Sequence, residues 1–283
     1  MQKLHTDHTP YCTGYAESMI GGRAENQDSY GFSETPRGLL VTVCDGMGGG
    51  PGGKTASTIA AEEILAEIYD ADKDVPSTDV ITKAVQRANQ AIIAEADRVP
   101  ELKGMGSTTT ILLISEESAF VAHVGDSRVY QIRGKKKIFR TFDHSMVFEL
   151  VKRKTITEEQ ARLSEQSNVI TRALGIAPDV EVDIAELPYK KGDRFVLCSD
   201  GIHGMLPEKD LLKLFSNKKS DLDNLVEDIA SQIDQLGQEN GGGHDNLTIA
   251  IIETNIDSIL KPRKCKLYES IFNWKRTWLR YRD

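Results

Sequence analysis

Four aspartates stand where an apolar run meets polar chain. "LLVTVC" ends on Asp45, "AFVAHVG" on Asp126 and "RFVLCS" on Asp200, while Asp245 stands just ahead of "LTIAIIE". If the strand led by Asp245 runs antiparallel to those that end in Asp45 and Asp200, the carboxylates gather at one edge of the sheet. Like charges brought together are costly unless something cationic neutralises them. An oxygen-only set, without Cys or His at a ligand spacing, selects hard cations such as Mg2+ or Mn2+ over zinc, and two ions are the natural count. Any one of these residues is equally a turn former, since "DG", "GDS" and "HDN" all favour turns; it is the recurrence at four strand ends that carries the metal reading. Arg23, in "GGRAENQD", offers a planar fork for a phosphate, with Asn26, Gln27 and Asp28 close behind it.

A second pattern competes. "GGGPGGKT", from Gly48 through Gly53, Lys54 and Thr55, satisfies the phosphate-loop pattern of nucleotide hydrolases. It even has a strand before it and a helix after it. The carboxylates decide against a nucleotide cradle, because such a loop must present its amides to an anion and this one begins at Asp45. The glycines then serve a tight turn beneath the ions, and Lys54 and Thr55 merely open the following helix.

The elements that must position these residues alternate between two periods. Runs at 38–44, 108–114, 119–124, 128–132, 194–198 and 247–253 are short, apolar and rich in Val, Ile and Thr, which predicts buried strands. Those between 108 and 132 are so closely spaced that they read as antiparallel hairpins. Apolar residues at three and four predict helices over 55–70 and 77–99, the second capped by Ser77 or Thr78. A Thr157 to Gln160 capping box opens "TEEQARL", and a later helical pair covers "PEKDLLKLF" and "LDNLVEDIASQIDQLG", the last closed by Gly237. The result is a mixed α and β domain over 1–254, followed by a basic, aromatic tail at 255–283.

The 283-residue chain carries a formal charge of -8, which hides an asymmetry. Residues 261–283 hold eight Lys or Arg against Glu269 and Asp283, a balance of +6 that leaves -14 on the remainder. So acidic a body repels nucleic acid but can hold divalent cations. No run approaches the roughly 18 apolar residues of a membrane span, and the start lacks an apolar leader, so a cytoplasmic location is expected. The four cysteines show no metal-type spacing and are expected to be reduced. Within the tail, Tyr268, Ile271, Phe272, Trp274, Trp278 and Leu279 stand among the basic residues, which suits an amphipathic helix on an anionic membrane, on a protein partner or on the acidic body itself.

Together these pieces resemble the metal-dependent serine/threonine protein phosphatases of type 2C, in their compact bacterial form. "RAENQD", "VCDGMGG", "GMGSTTT", "AHVGDSRVY", "TFDHS" with "NVITRALG", "LCSDGI" and "HDNLTIAII" follow the family's motifs in order over residues 21–252. The resemblance implies an α+β fold, a central sandwich of two antiparallel β-sheets flanked by helices, with a binuclear metal centre at one end. Carried over, Asp45 bridges two Mg2+ or Mn2+ ions, and the Gly46 carbonyl, Asp200 and Asp245 complete the set. Asp126 with Asp200 suits a weaker third ion, Arg23 binds the substrate phosphate, and Gln27, Asp28 and Asn246 support the site. A water bridging the ions would attack phosphoserine or phosphothreonine in line, the substrates being phosphoproteins made by a Ser/Thr kinase.

The chain also departs from its relatives. Gln27 stands where many have Glu, Met47 and Gly50 where some have His, and Gly204 where many carry another acid near the third ion. A catalytically silent phosphatase-like binding protein is therefore the alternative, with a nucleotide hydrolase more remote. His203 and His244 read as surface turn residues, and His144, in "DHS", as a structural residue of a flap over roughly 140–175. His5 and His8 fall in a polar N-terminal stretch expected to be disordered.

Overall fold

A computed structural model describes residues 1–4, 9–49 and 51–260. His5, His8, Gly50 and the basic stretch of the tail therefore lie outside the described residues.

Two antiparallel sheets pack face to face. The first runs in the order β1 (Gln2–Lys3), β2 (Cys12–Met19), β12 (Leu247–Thr254), β11 (Asp193–Cys198), β8 (Arg128–Arg133), β9 (Lys136–Arg140). The second runs β10 (Asp183–Leu187), β7 (Ala119–Val124), β6 (Thr109–Ile114), β4 (Gly38–Met47), β3 (Asp28–Thr35), with the short β5 (Gly106–Ser107) added against the end of β4. Leu39, Val41 and Val43 of β4 meet Phe195, Leu197, Ala250 and Ile252 from the opposite sheet in the space between them. The alternate residues Leu40 and Cys44 point outward, under α1 (Pro51–Asp70) and α2 (Ser77–Arg98). Val196, Cys198, Ile249 and Ile251 likewise pack outward against α6 (Glu208–Phe215) and α7 (Leu222–Glu239). The central strands are near-continuously apolar because both faces are covered, and this four-layer arrangement is the α+β sandwich that the motifs imply.

Ala56, Ala60, Ile64 and Ile68 of α1 face Ile81, Ala84, Val85 and Ala88 of α2, and the small residues let the two helices lie close. Between β9 and β10 the chain leaves the sandwich as a flap with α3 (Met146–Lys152) and α4 (Glu158–Arg162), which has a small core of Val147, Phe148 and Ala161. The Thr157 to Gln160 capping box is present at the start of α4.

The structure corrects four sequence expectations. β6 and β7 form a hairpin, but β7 and β8 do not: Gly125–Ser127 carries the chain from the second sheet to the first, where β8 pairs with β11. The four aspartates consequently share one end of the sandwich, two contributed by each sheet, and do not line one sheet edge. Helix α2 has no side-chain cap from Ser77 or Thr78, because Pro76 occupies the cap position. Gly237 does not close α7. It lies within the helix, where a Cβ would stand 2.3 Å from the His244 ring, so glycine is needed for that close approach.

Candidate metal centre

Each predicted residue can be followed to the same end of the sandwich. Asp45 lies near the end of β4, opposite Asp28 of β3 in the ladder. Its backbone is fixed from the neighbouring segment: Asp45 N–H donates to Thr108 Oγ1 (3.0 Å), while Thr108 N–H (2.8 Å) and Ser107 Oγ (3.1 Å) donate to the Asp45 carbonyl. Thr108 Oγ1 in turn meets Ser127 Oγ at 2.8 Å, beside Asp126 in the crossing turn. Gly46 has no room for a side chain, since a Cβ would stand 2.0 Å from the Gly53 carbonyl oxygen and 2.7 Å from that of Gln27. The opening turn of α1 thus presses directly on the strand end that carries Asp45.

From the other sheet, Asp200 opens the short helix α5 (Asp200–His203) just after β11, and Asp245 stands before β12 with only Asn246 between them. Asn246 organises the approach. Its Oδ1 accepts from Gln27 N–H (2.8 Å) and its Nδ2 donates to the carbonyls of Ile20 (2.8 Å) and Glu25 (2.9 Å), which pins the loop bearing Arg23 beside Asp245. Arg23 Nη2 donates to Asp245 Oδ2 at 2.8 Å, and the half-exposed guanidinium faces solvent at the mouth of the site.

The electrostatics are those of carboxyls crowded without enough positive charge. Burial, then the neighbouring Asp28, Asp200, Asp126 and Asp245, push the Asp45 carboxyl well above the usual carboxylate range. Asp126 is pushed the same way by burial, Asp200 and Asp143. Asp200 is raised to about 6, chiefly by burial and by Asp245. Asp28, deeply buried, is raised to about 7, chiefly by burial, even though Ser199 Oγ donates to its Oδ2 at 2.8 Å.

Asp45 and Asp200 lie close enough to act on each other's charge, and two carboxyls so placed need a proton or a cation to offset their repulsion. Asp200 Oδ1 is moreover buried with no hydrogen-bond partner. An orphaned carboxylate oxygen at the meeting point of four acids fits a hard divalent ion, the donor set being all oxygen. Among the described residues, no three of these aspartates bring ligand atoms within 4.8 Å of one another.

The ligand atoms of His123, His144 and Asp183 do close to within 4.8 Å. That group nevertheless disfavours an ion. Gly125 N–H donates to His144 Nδ1 (3.1 Å), which occupies that lone pair, and Arg172 Nη1 lies 3.0 Å from Nε2, where an ion would have to sit. The Arg172 guanidinium also lies 2.8 Å from Asp183 Oδ1, already supplying positive charge.

Two histidines expected at the surface are buried. His203 Nε2 donates to the Asp126 carbonyl at 3.0 Å, and burial lowers its pKa to about 3. The His244 ring, 5% exposed, holds Asp234 at 2.8 Å through Nε2, while the His244 carbonyl accepts from Gly22 N–H. Lys54 donates to the Asp28 carbonyl (2.8 Å) and to Ser29 Oγ (3.1 Å), so the lysine of the phosphate-loop pattern braces β3 and grips no anion. Gly204 donates its N–H to the Asp200 carbonyl (2.7 Å) and its own carbonyl accepts from Arg162 of the flap (3.1 Å).

The supporting hydroxyls of Ser107, Thr108, Ser127 and Ser199 escaped sequence reasoning as functional residues, although all lie inside the motifs quoted above. The buried pair Arg128–Asp143, with Nε and Nη2 at 2.7 and 2.6 Å from the two carboxylate oxygens, was missed as well. Its two members stand fifteen residues apart, and no local pattern announces the contact.

Comparison with known proteins identifies the family. The Protein phosphatase 2C family matches residues 17–248. The serine/threonine phosphatase stp of Listeria innocua is 30% identical over 239 residues, covering 83% of this chain and 92% of that protein. Among solved structures, serine/threonine phosphatase Stp1 from Staphylococcus aureus superposes with a TM-score of 0.75 at 28% identity, over 85% of this chain and 94% of its own. The catalytic domain of the serine/threonine protein phosphatase PstP, in complex with two manganese ions, gives 0.71 at 29% identity over 87% and 99%. The chain belongs to the protein phosphatase 2C family and is a metal-dependent serine/threonine protein phosphatase.

Proposed function

We propose that the acidic end of the sandwich holds two Mg2+ or Mn2+ ions and hydrolyses phosphoserine and phosphothreonine in phosphoproteins, the products of a Ser/Thr kinase in the cytoplasm. Asp45 would bridge the ions, with the Gly46 carbonyl, Asp200 and Asp245 completing the set, and Asp126 with Asp200 would hold a weaker third. The observation that carries this reading is the buried, unpartnered Asp200 Oδ1 beside the raised carboxyls of Asp45 and Asp126. When bound, such a pair of ions supplies an acidified water and charge to offset the developing phosphoryl negative charge.

The chain's own residues supply the rest. Arg23 orients and neutralises phosphoryl oxygens at the mouth, steadied by Asp245. Asn246 and Gln27 fix the loop from which Arg23 projects. Met47 carries no proton, and His203 and His244 are turned to Asp126 and Asp234, so the departing Ser or Thr oxygen takes its proton from solvent. The boundary expected at 254 moves to Leu260, because Asn255, Ser258, Ile259 and Leu260 donate their N–H groups to the carbonyls of Tyr11, Tyr189, Glu116 and Glu117 of the body, and the stretch beyond is proposed as a separate tail. A membrane or partner role for the tail is tested by truncation after Leu260 followed by liposome binding.

Hydrolysis of p-nitrophenyl phosphate and of a phosphothreonine peptide tests the reading, with Mn2+ or Mg2+ and with EDTA. Turnover that needs the ion and vanishes in Asp45→Asn is expected. An ion-independent parent would overturn the metal-centre reading, and one with no turnover at all would leave only the silent binding protein.

A further inference from the structure

His144 sits where three segments of chain meet, none of them adjacent in sequence. Its backbone N–H donates to the Gly125 carbonyl at 2.9 Å, and its ring Nδ1 accepts from the Gly125 N–H at 3.1 Å, so the turn that carries Asp126 is held by a reciprocal pair of bonds. The His144 carbonyl accepts from Thr171 N–H (2.8 Å), and the flanking residues Ser145 and Ile170 form a bridge, which joins the two limbs of the flap. On the far side of the ring, Nε2 lies 3.0 Å from Arg172 Nη1 and 3.3 Å from Asp183 Oδ2 on β10, and Asp183 Oδ1 takes the same Arg172 Nη1.

The Gly125 amide donates to Nδ1, so a neutral ring carries its proton on Nε2, directed at Asp183 Oδ2; Arg172 Nη1, 3.0 Å from Nε2, is then held by its ion pair to Asp183 and makes no hydrogen bond to the ring. His123 stacks on His144 with ring centroids 4.4 Å apart and spends its own Nε2–H on the Phe142 carbonyl, which prevents the His144 ring from tilting. The turn itself has no slack: Gly125 has φ +99°, and a Cβ there would stand 2.7 Å from the Thr108 side chain. Any rotation of the His144 ring is therefore felt at Asp126, one residue away.

The geometry points to His144 as a positioning residue for the weakest metal position, acting through Gly125 on Asp126 and tying that position to the base of the flap. This rests on the reading of Asp126 as a ligand of a third ion. His144 touches neither substrate nor ion. Its contribution is orientation, of the kind that supporting groups give to metal ligands and whose loss costs about 10- to 100-fold in metal affinity. A consequence is that movement of the flap limbs alters the affinity of that position.

The test is Mn2+ binding to the full chain, followed by calorimetry and by the electron paramagnetic resonance signal of free Mn2+. His144→Ala should weaken the weakest equivalent about tenfold and leave the tighter ones within about twofold. His144→Asn, whose Oδ1 can stand where Nδ1 stood, should restore binding to within about threefold. His144→Gln reaches toward Asp183 but loses the acceptor for Gly125, so it should resemble Ala, and it replaces the Ala variant if that fails to fold. Equal weakening of all equivalents, no weakening, or an Asn variant as poor as Ala would each overturn the proposal. Asp126→Asn separates the two claims. If it leaves every equivalent intact, the ligand reading itself fails; if it abolishes the weakest while His144→Ala and His144→Gln change nothing, only the positioning role fails. In the native protein, long-range 1H–15N correlation should find the His144 proton on Nε2, and a proton on Nδ1 would contradict the argument.

Discussion

Asp126 and Asp143 are both buried, at 6% and 3% exposed, and they lie close enough to influence each other's charge. Their fates are opposite. Asp143 receives a bidentate grip from Arg128, and although burial opposes ionisation, that guanidinium holds its carboxyl below the ordinary range. Asp126 has no such partner and is pushed well above it. Burial alone therefore does not mark a functional carboxylate. What distinguishes the acidic end from the flap base is burial that the protein's own side chains leave uncompensated, a charge that a proton or, on the proposed reading, an ion must complete.

The sharpest way to break this contrast is to neutralise one acid at each place. Asp45→Asn should lower ion-dependent turnover by at least about a thousandfold, measured as kcat/KM on a phosphothreonine peptide, because several kcal/mol of charge stabilisation are lost. Asp143→Asn leaves a buried Arg128 without its partner and should cost about 3 to 5 kcal/mol, seen as a melting temperature lower by about 10 °C. In EDTA, Asp200→Asn should instead raise the melting temperature, since it relieves repulsion; a fall there would show that the acidic end is self-sufficient.

Adding Mn2+ at about a hundred times its dissociation constant should stabilise the parent by about 2.7 kcal/mol and the Asp45→Asn protein much less, by thermal shift. A pH series in EDTA separates the regions again. Asp28 is raised in the folded state from 3.8 to about 7, so the folded chain binds a proton the unfolded one has released. Its contribution is present below pH 4 and lost as pH rises toward 7, and the stability of the parent relative to Asp28→Asn should fall over that window. His203, lowered from 6.5 to about 3, has the opposite sign: the parent should lose stability relative to His203→Gln as pH falls below 6.5. The smallest effect is expected at Lys54→Ala, about 1 kcal/mol of stability from two lost hydrogen bonds, with kcat/KM within about twofold and no dependence on nucleotide.

Much of this molecule was legible because its central strands are covered on both faces. The runs that became β4, β6, β7, β11 and β12 are continuous enough in Val, Ile and Leu to announce themselves, and all but β6 have a named aspartate at or near one end. Strands β2 and β3 were missed for the complementary reason. In β2 only alternate residues face inward, and they are the small Cys12, Gly14 and Ala16. In β3, Gly31 is kept bare because a Cβ would stand 2.6 Å from Leu65 of α1. Neither strand carries enough apolar side chain to register a period of two.

The residue types and their order fixed the chemistry on offer: oxygen ligands for a hard cation, an arginine for a phosphate and a sandwich able to hold them. Tertiary structure alone decided which acids are compensated. Arg128 reaches Asp143 only because β8 and the flap base are folded together, and Asp126 stands at the seam only because Gly125–Ser127 crosses from one sheet to the other. A periodic pattern reports which face of an element is buried. It cannot report which charge from a distant part of the chain arrives to share that burial, and here the arriving charge separates the compensated Asp143 from the uncompensated Asp126.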